Sequence, residues 1–366
     1  MTDSAIAAPA VPTALATLLV ATAHPPQLAD YRCVLTPREL DAPEREIAAL
    51  THGAGVHDLG WLRRVAVRGE DRFRWLSGMV TNTVNDLAPN SGAWNLVLSA
   101  QGRILGDLHV WREGDGHLEL EMEACQVEKL MAHLEHYIIM DDVELVPLGH
   151  EPGAEETAIG LSGPQVADVL VRVGLPVLAE PMTLTRVEWN GLDLRVLRGY
   201  GTLAQHYTIW TPVTGLTRLW RGLSTAGASH VGTAMFDALR VAEGMPAYGV
   251  DIVERDLPQE TSQMRALHFS KGCYQGQEIV ERIRSRGNVH RHLRLFEIDG
   301  AIPATGAELS RDGKAVGNIT SAATLPLEMG SRTFALAMLR SEAELPDTQL
   351  TCTSGTARLL SNTPTL

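Results

Sequence analysis

The chain has 366 residues, 45% of them hydrophobic, with 31 Lys and Arg against 44 Asp and Glu for a formal net charge of −13. That length can hold two or three domains with sizeable cores. The acidic balance argues against broad, direct binding of nucleic acid, and no stretch is long and apolar enough to span a membrane. Cys33, Cys125, Cys273 and Cys352 lie far apart and form no C-x-x-C. Neither a structural zinc site nor a disulfide framework is therefore expected, and a reducing cytoplasm fits. His290 and His292 could join Cys273 on a metal, but an isolated H-x-H is more often an accident of a strand or loop, so no metal site is assigned.

In chain order, residues 1–28 read as an Ala-rich, poorly ordered leader with at most one short helix. Pro9, Pro12, Pro25 and Pro26 interrupt it, and Asp3 sits where a signal peptide needs positive charge. Residues 29–287 read as α+β. Pro43–Thr51 is a helix, Leu62–Val67 a strand, and Glu70–Leu76 a helix after the break at Gly69. Val80–Leu87 is a polar, turn-rich loop. Ala93–Ser99, Arg103–Trp111 and Leu118–Met122 read as strands, and Gln126–Tyr137 carries a helical apolar stripe. The pattern recurs with a strand at Ala158–Leu161, a break at Gly163–Pro164 and a helix at Gln165–Val173, which points to two similar lobes. Leu184–Trp189 and Leu192–Leu197 form a hairpin around Asn190–Gly191. His206–Trp210 is a strand; Thr217–Leu223 and Ala234–Glu243 are helical. Arg240 and Glu243 share one face of the last helix, as a ligand-facing pair or as a surface ion pair worth roughly a few tenths of a kcal/mol.

From 288 to 366 the texture changes to short strands at Leu293–Ile298, Glu308–Ser310, Ala315–Thr320, Thr333–Leu339, Gln349–Cys352 and Ala357–Leu360. These read as a small closed β-barrel.

The stretch richest in chemistry is KGCYQGQEIVERIRSRGNVHRHL, Lys271–Leu293. A helix opens at Gly276–Gln277, with Ile279, Val280 and Ile283 on its apolar face and a left-handed stop at Gly287. Amide donors at that helix start and the Lys271 ammonium would both favour a thiolate at Cys273. The plainer alternative is a small buried residue in a turn. Six basic residues face two acidic ones between Lys271 and Arg294, which suits either a small-anion site or a solvated helix face.

KGCYQGQE resembles the K-G-C-[FY]-x-G-Q-E motif of the YgfZ family, folate-binding proteins related to the glycine-cleavage T-protein, an aminomethyltransferase. GAGVHDLGWLRRVAVRG and ALRVAEGMPAYGVDI are similar to two further T-protein segments. The resemblance implies a cloverleaf of two similar α+β lobes around a folate channel, followed by the barrel. It implies tetrahydrofolate or a derivative as cofactor, with Arg240, Glu243, Gln205, Tyr200, Asn82, Tyr274, Gln277 and Glu278 as binding residues. Cys273 and Lys271 would be the reactive pair, in a helper of iron–sulfur proteins or cluster-assembly factors. Such a helper would support tRNA-thiolating enzymes without touching tRNA.

Two departures from the T-protein pattern bear on activity. Its T-N-D loop reads Thr81-Asn82-Thr83 here, and a hydroxyl cannot supply the carboxylate's charge; Asp86 lies three residues on. Its pterin-gripping glutamate is missing from the Gly199–Ile209 segment, where Gln205 is the nearest polar substitute. A folate-dependent aminomethyltransferase and a folate-binding module without chemistry are the alternatives.

Overall fold

The computed structural model describes residues 10–149, 151–287, 289–345, 349–362, 364 and 366. Of the leader expected to be poorly ordered, residues 1–9 lie outside the described residues. Within residues 10–28 the one short helix that the expectation allowed forms at Ala14–Val20 and is packed down. Thr13 caps the helix Ala14–Val20 by accepting from the Ala16 N–H at 3.0 Å, and its hydroxyl also donates to buried Asp58. Leu15 and Ala16 are fully buried. An alanine- and leucine-rich helix supplies apolar surface, and here the second lobe covers it.

Eleven strands form one long sheet among the described residues. Its two halves repeat a topology. In the first, Leu62–Arg68 is followed by the helix Arg72–Met79, three antiparallel strands (Ser91–Leu98, Ile104–Glu113, His117–Glu123), the helix Val127–His136 and the strand Glu144–Leu148. In the second, Glu156–Ser162 is followed by the helix Val166–Val173, three more antiparallel strands (Thr183–Trp189, Leu192–Arg198, His206–Pro212), the helix Leu216–Thr225 and Ser229–Val231. The strand Gly55–Asp58 is inserted in the sheet between Glu156–Ser162 and Ser229–Val231, the first and last strands of that half. Each lobe buries its own core, and they join edge to edge where Thr183 pairs with Ser91. The two-lobe expectation holds.

The helices Pro43–Thr51 and Thr233–Ala242 carry a further core against the barrel, with Leu50, Met235 and Leu239 meeting Leu293, Phe334 and Leu336. All six expected barrel strands form, and Arg291–Gly300 closes the ring by pairing with Gly355–Leu359. No described helix is long and apolar enough to cross a membrane.

The cysteine reading needs correction. Cys33 and Cys125 form a disulfide with Cα atoms 5.4 Å apart across 92 residues of sequence. Arg32 and Cys33 take left-handed φ angles of 56° and 66° at the tip of the hairpin joining Leu28–Tyr31 to Val34–Pro37. That tip lies against the end of His117–Glu123, a pairing that spacing cannot reveal. The argument from cysteine spacing to a reducing compartment loses its footing with it.

Candidate functional site

A cavity of about 420 Å³ lies where the two lobes meet, bordered by the segment from Phe236 to Arg265. Aromatic side chains supply much of the wall, among them Trp61, Trp94, Trp111, Tyr200 and Phe236. Three guanidinium groups reach it, and they differ in what holds them. Arg32 is gripped by both oxygens of Glu123 at 2.7 and 2.9 Å. Arg240 donates to Asp237 at 2.8 Å, to fully buried Asp251 at 2.6 Å and to the Met245 carbonyl at 2.8 Å. Arg265 has no carboxylate in ion-pair contact among the described residues. Its guanidinium lies over the Tyr200 ring at 4.0 Å and near the Trp94 ring at 5.1 Å, and burial lowers its pKa.

The cavity also presents carboxylates. Asp107 accepts from the Trp94 indole at 2.9 Å and from Gln126 at 2.8 Å. Each oxygen keeps a lone pair for another donor. Glu121 is buried and accepts from the Trp210 and Trp111 indoles; burial raises its pKa despite those bonds. Half-buried His109 has its pKa pushed down to about 4 by desolvation.

Of the residues expected at a ligand, Arg240, Glu243, Tyr200 and Asn82 line the cavity. Arg240, expected as the free cation, is instead the hub of an ion cluster. It also does not pair with Glu243, so the surface-pair reading fails as well. Glu243 accepts at one oxygen from the backbone N–H groups of Thr202, Leu203 and Ala204, and at the other from His206 at 2.9 Å. Burial alone would raise its pKa, but His206 and the loop amides outweigh it and lower it. Glu243 thus fixes the loop that carries Tyr200. Asn82 donates to the Trp94 and Arg265 carbonyls, tying the 80–82 loop to the cavity wall.

The rest of the expected set lies elsewhere. Gln205 does not line the cavity; its neighbour His206 does. Tyr274 does not line the cavity; it is buried with Leu98 and Val280 in an apolar cluster that backs the cavity's Trp94. Gln277 accepts from the Tyr274 N–H at 3.2 Å, and Glu278 is exposed on the helix Gln277–Arg286. Gly276 sits at φ 77°, where an added Cβ would stand 2.7 Å from the Ser99 carbonyl oxygen, so this turn requires glycine. Cys273 is a free, exposed thiol. The Lys271 ammonium donates to the Val80 and Asn82 carbonyls at 2.6 Å each, and burial pushes its pKa down to about 7. Its charge is directed into the 80–82 loop, contrary to the expected partnership with the thiol. The basic stretch is also partly neutralised, since Arg291 pairs with Asp256 and Glu260, and Arg294 with Glu344.

Arg265, Asp107, His57, Ser162 and His206 escaped the sequence reading. Arg265 sits in a short turn, Met264–Ala266, with no motif around it. Asp107 stands in the alternating strand Ile104–Glu113, whose burial pattern gave a signal that could have been followed: a carboxylate on a mostly buried strand needs a reason. Neither Thr83 nor Asp86 lines the cavity.

Residues 20–271 match the family described as GCVT N-terminal domain, and residues 290–365 match the CAF17 C-terminal beta-barrel domain. An aminomethyltransferase of Thermoanaerobacter pseudethanolicus is 22% identical over 302 residues, covering 81% of each chain. An aminomethyltransferase of Rubrobacter xylanophilus is 28% identical over 323 residues, covering 87% of this chain and 84% of its own. The crystal structure of the glycine cleavage system aminomethyltransferase T from Bartonella henselae superposes with a TM-score of 0.81 at 19% identity, covering 92% of this chain and 93% of that one. A T-protein fold over most of the chain, completed by a CAF17 barrel, places this protein in the YgfZ/CAF17 family.

Proposed function

We propose that the cavity binds tetrahydrofolate or a derivative, and that the protein acts through Cys273 in the assembly or maintenance of iron–sulfur proteins. The observation that carries the folate reading is the Arg265 guanidinium in an aromatic cavity, with no carboxylate in ion-pair contact among the described residues. A half-buried cation without a counter-charge is costly unless a ligand supplies one. A reduced folate joins a flat ring bearing N–H donors to an aromatic bridge and a tail with two carboxylates. The residues present fit it: Asp107 offers acceptor capacity to ring N–H groups, the tryptophans offer apolar walls, and Arg265 suits a tail carboxylate. When bound, such a cofactor would supply one-carbon chemistry.

The iron–sulfur part rests on the KGCYQGQE motif and on the exposed, unpaired thiol of Cys273. One thiolate does not hold a cluster in the usual four-cysteine manner, so transient ligation or thiol exchange suits it better than a scaffold.

The test is calorimetry with tetrahydrofolate and, in parallel, a reduced pterin lacking the glutamyl tail. Both should bind the wild type. Arg265→Gln should weaken tetrahydrofolate about tenfold or more, in line with a lost charged hydrogen bond, and leave the tail-less pterin nearly unchanged. No saturable binding of either compound overturns the folate reading.

A second reading, aminomethyl transfer, is kept open by Asp107, which brings a carboxylate to the cavity where Thr83 and Asp86 do not. Ammonia release from an aminomethylated lipoyl carrier, lost in Asp107→Asn, would establish it.

A further inference from the structure

The disulfide ties two arms of the cavity wall together from outside. Cys33 and Cys125 are both exposed and neither lines the cavity. Tyr31 and Arg32 beside the first, and Glu123 and Gln126 beside the second, all do. Residues 31–34 make a two-residue hairpin turn with both central residues left-handed, a conformation that favours Asn-Gly. Arg-Cys keeps it because both side chains are tied to the opposite arm, Arg32 to Glu123 and Cys33 to Cys125. The hairpin divides into a fixed base and a tip held from outside. At the base, Val34 is buried and the Thr36 hydroxyl meets that of Thr233 at 2.8 Å. At the tip side, Leu28–Tyr31 is the edge of a three-stranded sheet and pairs with Val34–Pro37 alone. Its Tyr31 hydroxyl donates to Asp237 at 2.9 Å, and the Tyr31 ring meets Trp61 edge-on.

We propose that the Cys33–Cys125 bond is a site of thiol–disulfide exchange with a dithiol reductant, and that its cleavage unlatches the hairpin tip from the cavity. One thiolate of the dithiol attacks Cys33 Sγ. The bond between the two cysteines breaks, its electron pair leaves on Cys125 Sγ, and a mixed disulfide forms at Cys33. The second thiol of the dithiol gives up its proton, attacks the dithiol's own sulfur in that bond and expels Cys33 as a thiolate. The dithiol loses two electrons and two protons and closes into a disulfide; Cys33 and Cys125 each end as a thiol. Oxidation by a disulfide reverses the step and closes the latch.

The surroundings support the exchange and its consequence. A disulfide inside a core is shielded from an attacking thiolate, whereas an exposed one is open to exchange. Cys125 stands two residues ahead of the helix Val127–His136, whose unpaired N–H groups favour a thiolate there, so it is the better leaving group. After cleavage the tip still has the Arg32–Glu123 pair, with Arg32 over the Tyr31 ring at 5.0 Å and near that of Trp61 at 5.8 Å. The reduced hairpin is therefore closed most of the time but free to open, which the covalent bond forbids. Opening withdraws Tyr31 and Arg32 from the wall and lets solvent or a ligand pass beside Trp61. A reduced folate as that ligand rests on the reading above; the latch itself does not.

The test uses the full-length chain, oxidised and after dithiothreitol without denaturant. Mass mapping should find Cys33 and Cys125 open to alkylation in the reduced protein while its near-ultraviolet circular dichroism stays native. A bond that yields only in denaturant, or a chain that unfolds on reduction, overturns the proposal. Hydrogen exchange should quicken about tenfold or more at residues 28–33 on reduction and stay unchanged in the barrel. Equal exchange in the two states, or a rise spread over the whole chain, overturns it. Acrylamide quenching of tryptophan fluorescence reads access to the cavity without any ligand and should increase on reduction; unchanged quenching overturns the gating. Release of bound tetrahydrofolate, followed by stopped flow, should be about tenfold faster from the reduced protein. Absence of tetrahydrofolate binding removes the ligand assignment and leaves exchange and quenching to decide. The double variant Cys33→Ser, Cys125→Ser should match the reduced wild type with or without dithiothreitol; if it fails to fold, the wild-type comparison decides alone.

Discussion

The cavity and the Lys271–Glu278 motif meet at a single loop and are built in opposite ways. Around the cavity almost every charge is buried and already committed: Arg240 to two aspartates, Arg32 to Glu123, Glu243 to His206 and three amides. The motif has one inward-facing charge, Lys271, and leaves Cys273 and Glu278 exposed. Both regions hold the 80–82 loop, Lys271 through its carbonyls and the cavity through Asn82. The difference teaches that a residue in a family motif and a residue in a ligand site can serve one another without sharing a surface.

The contrast breaks first, if it breaks, at Arg240. Replacing it by Ala strands fully buried Asp251 and should cost about 3–5 kcal/mol in denaturant unfolding. A loss near zero, with weakened ligand binding, would return Arg240 to the role of ligand cation. Glu243→Ala strands the amides of Thr202, Leu203 and Ala204 together with His206, and should cost about 1–3 kcal/mol for the donors left without an acceptor. Proteolysis at the Tyr200 loop should quicken in that variant, because its anchor is gone.

Acidity separates the regions next. His57 binds a proton only near pH 3 when folded, against 6.5 when unfolded. Between those values the unfolded chain holds more protons, so stability falls as pH drops below 6.5, by at most about 1.4 kcal/mol per pH unit. His57→Asn should flatten that limb. His206 slopes the other way: its raised pKa adds stability below 6.5, which is lost as pH rises through the folded value. For Lys271, lowered to about 7, the unfolded chain again holds more protons above that pH. Lys271→Met should therefore remove a rise in stability on the alkaline side of pH 7, and partial exposure should keep that rise well under the limiting slope.

The smallest effect belongs to the thiol. Cys273→Ser should change stability by no more than about 0.5 kcal/mol, as for other exposed positions. Iodoacetamide followed by peptide mass mapping should label Cys273 ahead of half-buried Cys352, and should leave Cys33 and Cys125 unlabelled until a reductant is added.

What the sequence disclosed follows the range of the forces involved. The six barrel strands and the repeated strand–helix order could be read because alternation and turn residues are local. Arg240 and Glu243 could be read as neighbours on one helix, but not their true partners. Asp251 lies eleven residues from Arg240 and His206 lies 37 residues from Glu243, and only the tertiary fold brings them in. Arg265 was hidden because what marks it is the lack of a carboxylate partner among the described residues, which no spacing records. The short helix Ala14–Val20 could be read from its alanine and leucine content, but not the second-lobe surface that covers it.

The bond between Cys33 and Cys125 makes a covalent ring out of the chain between them. That ring threads the strands Gly55–Asp58 through His117–Glu123 but omits the helix Val127–His136 and the strand Glu144–Leu148, which complete the same lobe. A single cut inside it therefore opens the circle without releasing a fragment, and the two ends stay tethered until the sulfurs part. Closing so long a circuit removes freedom from the unfolded chain equivalent to about 4–5 kcal/mol on a chain-entropy reckoning. The first lobe thus starts folding from a shortened ensemble, while the second lobe and the barrel must be gathered from an open chain.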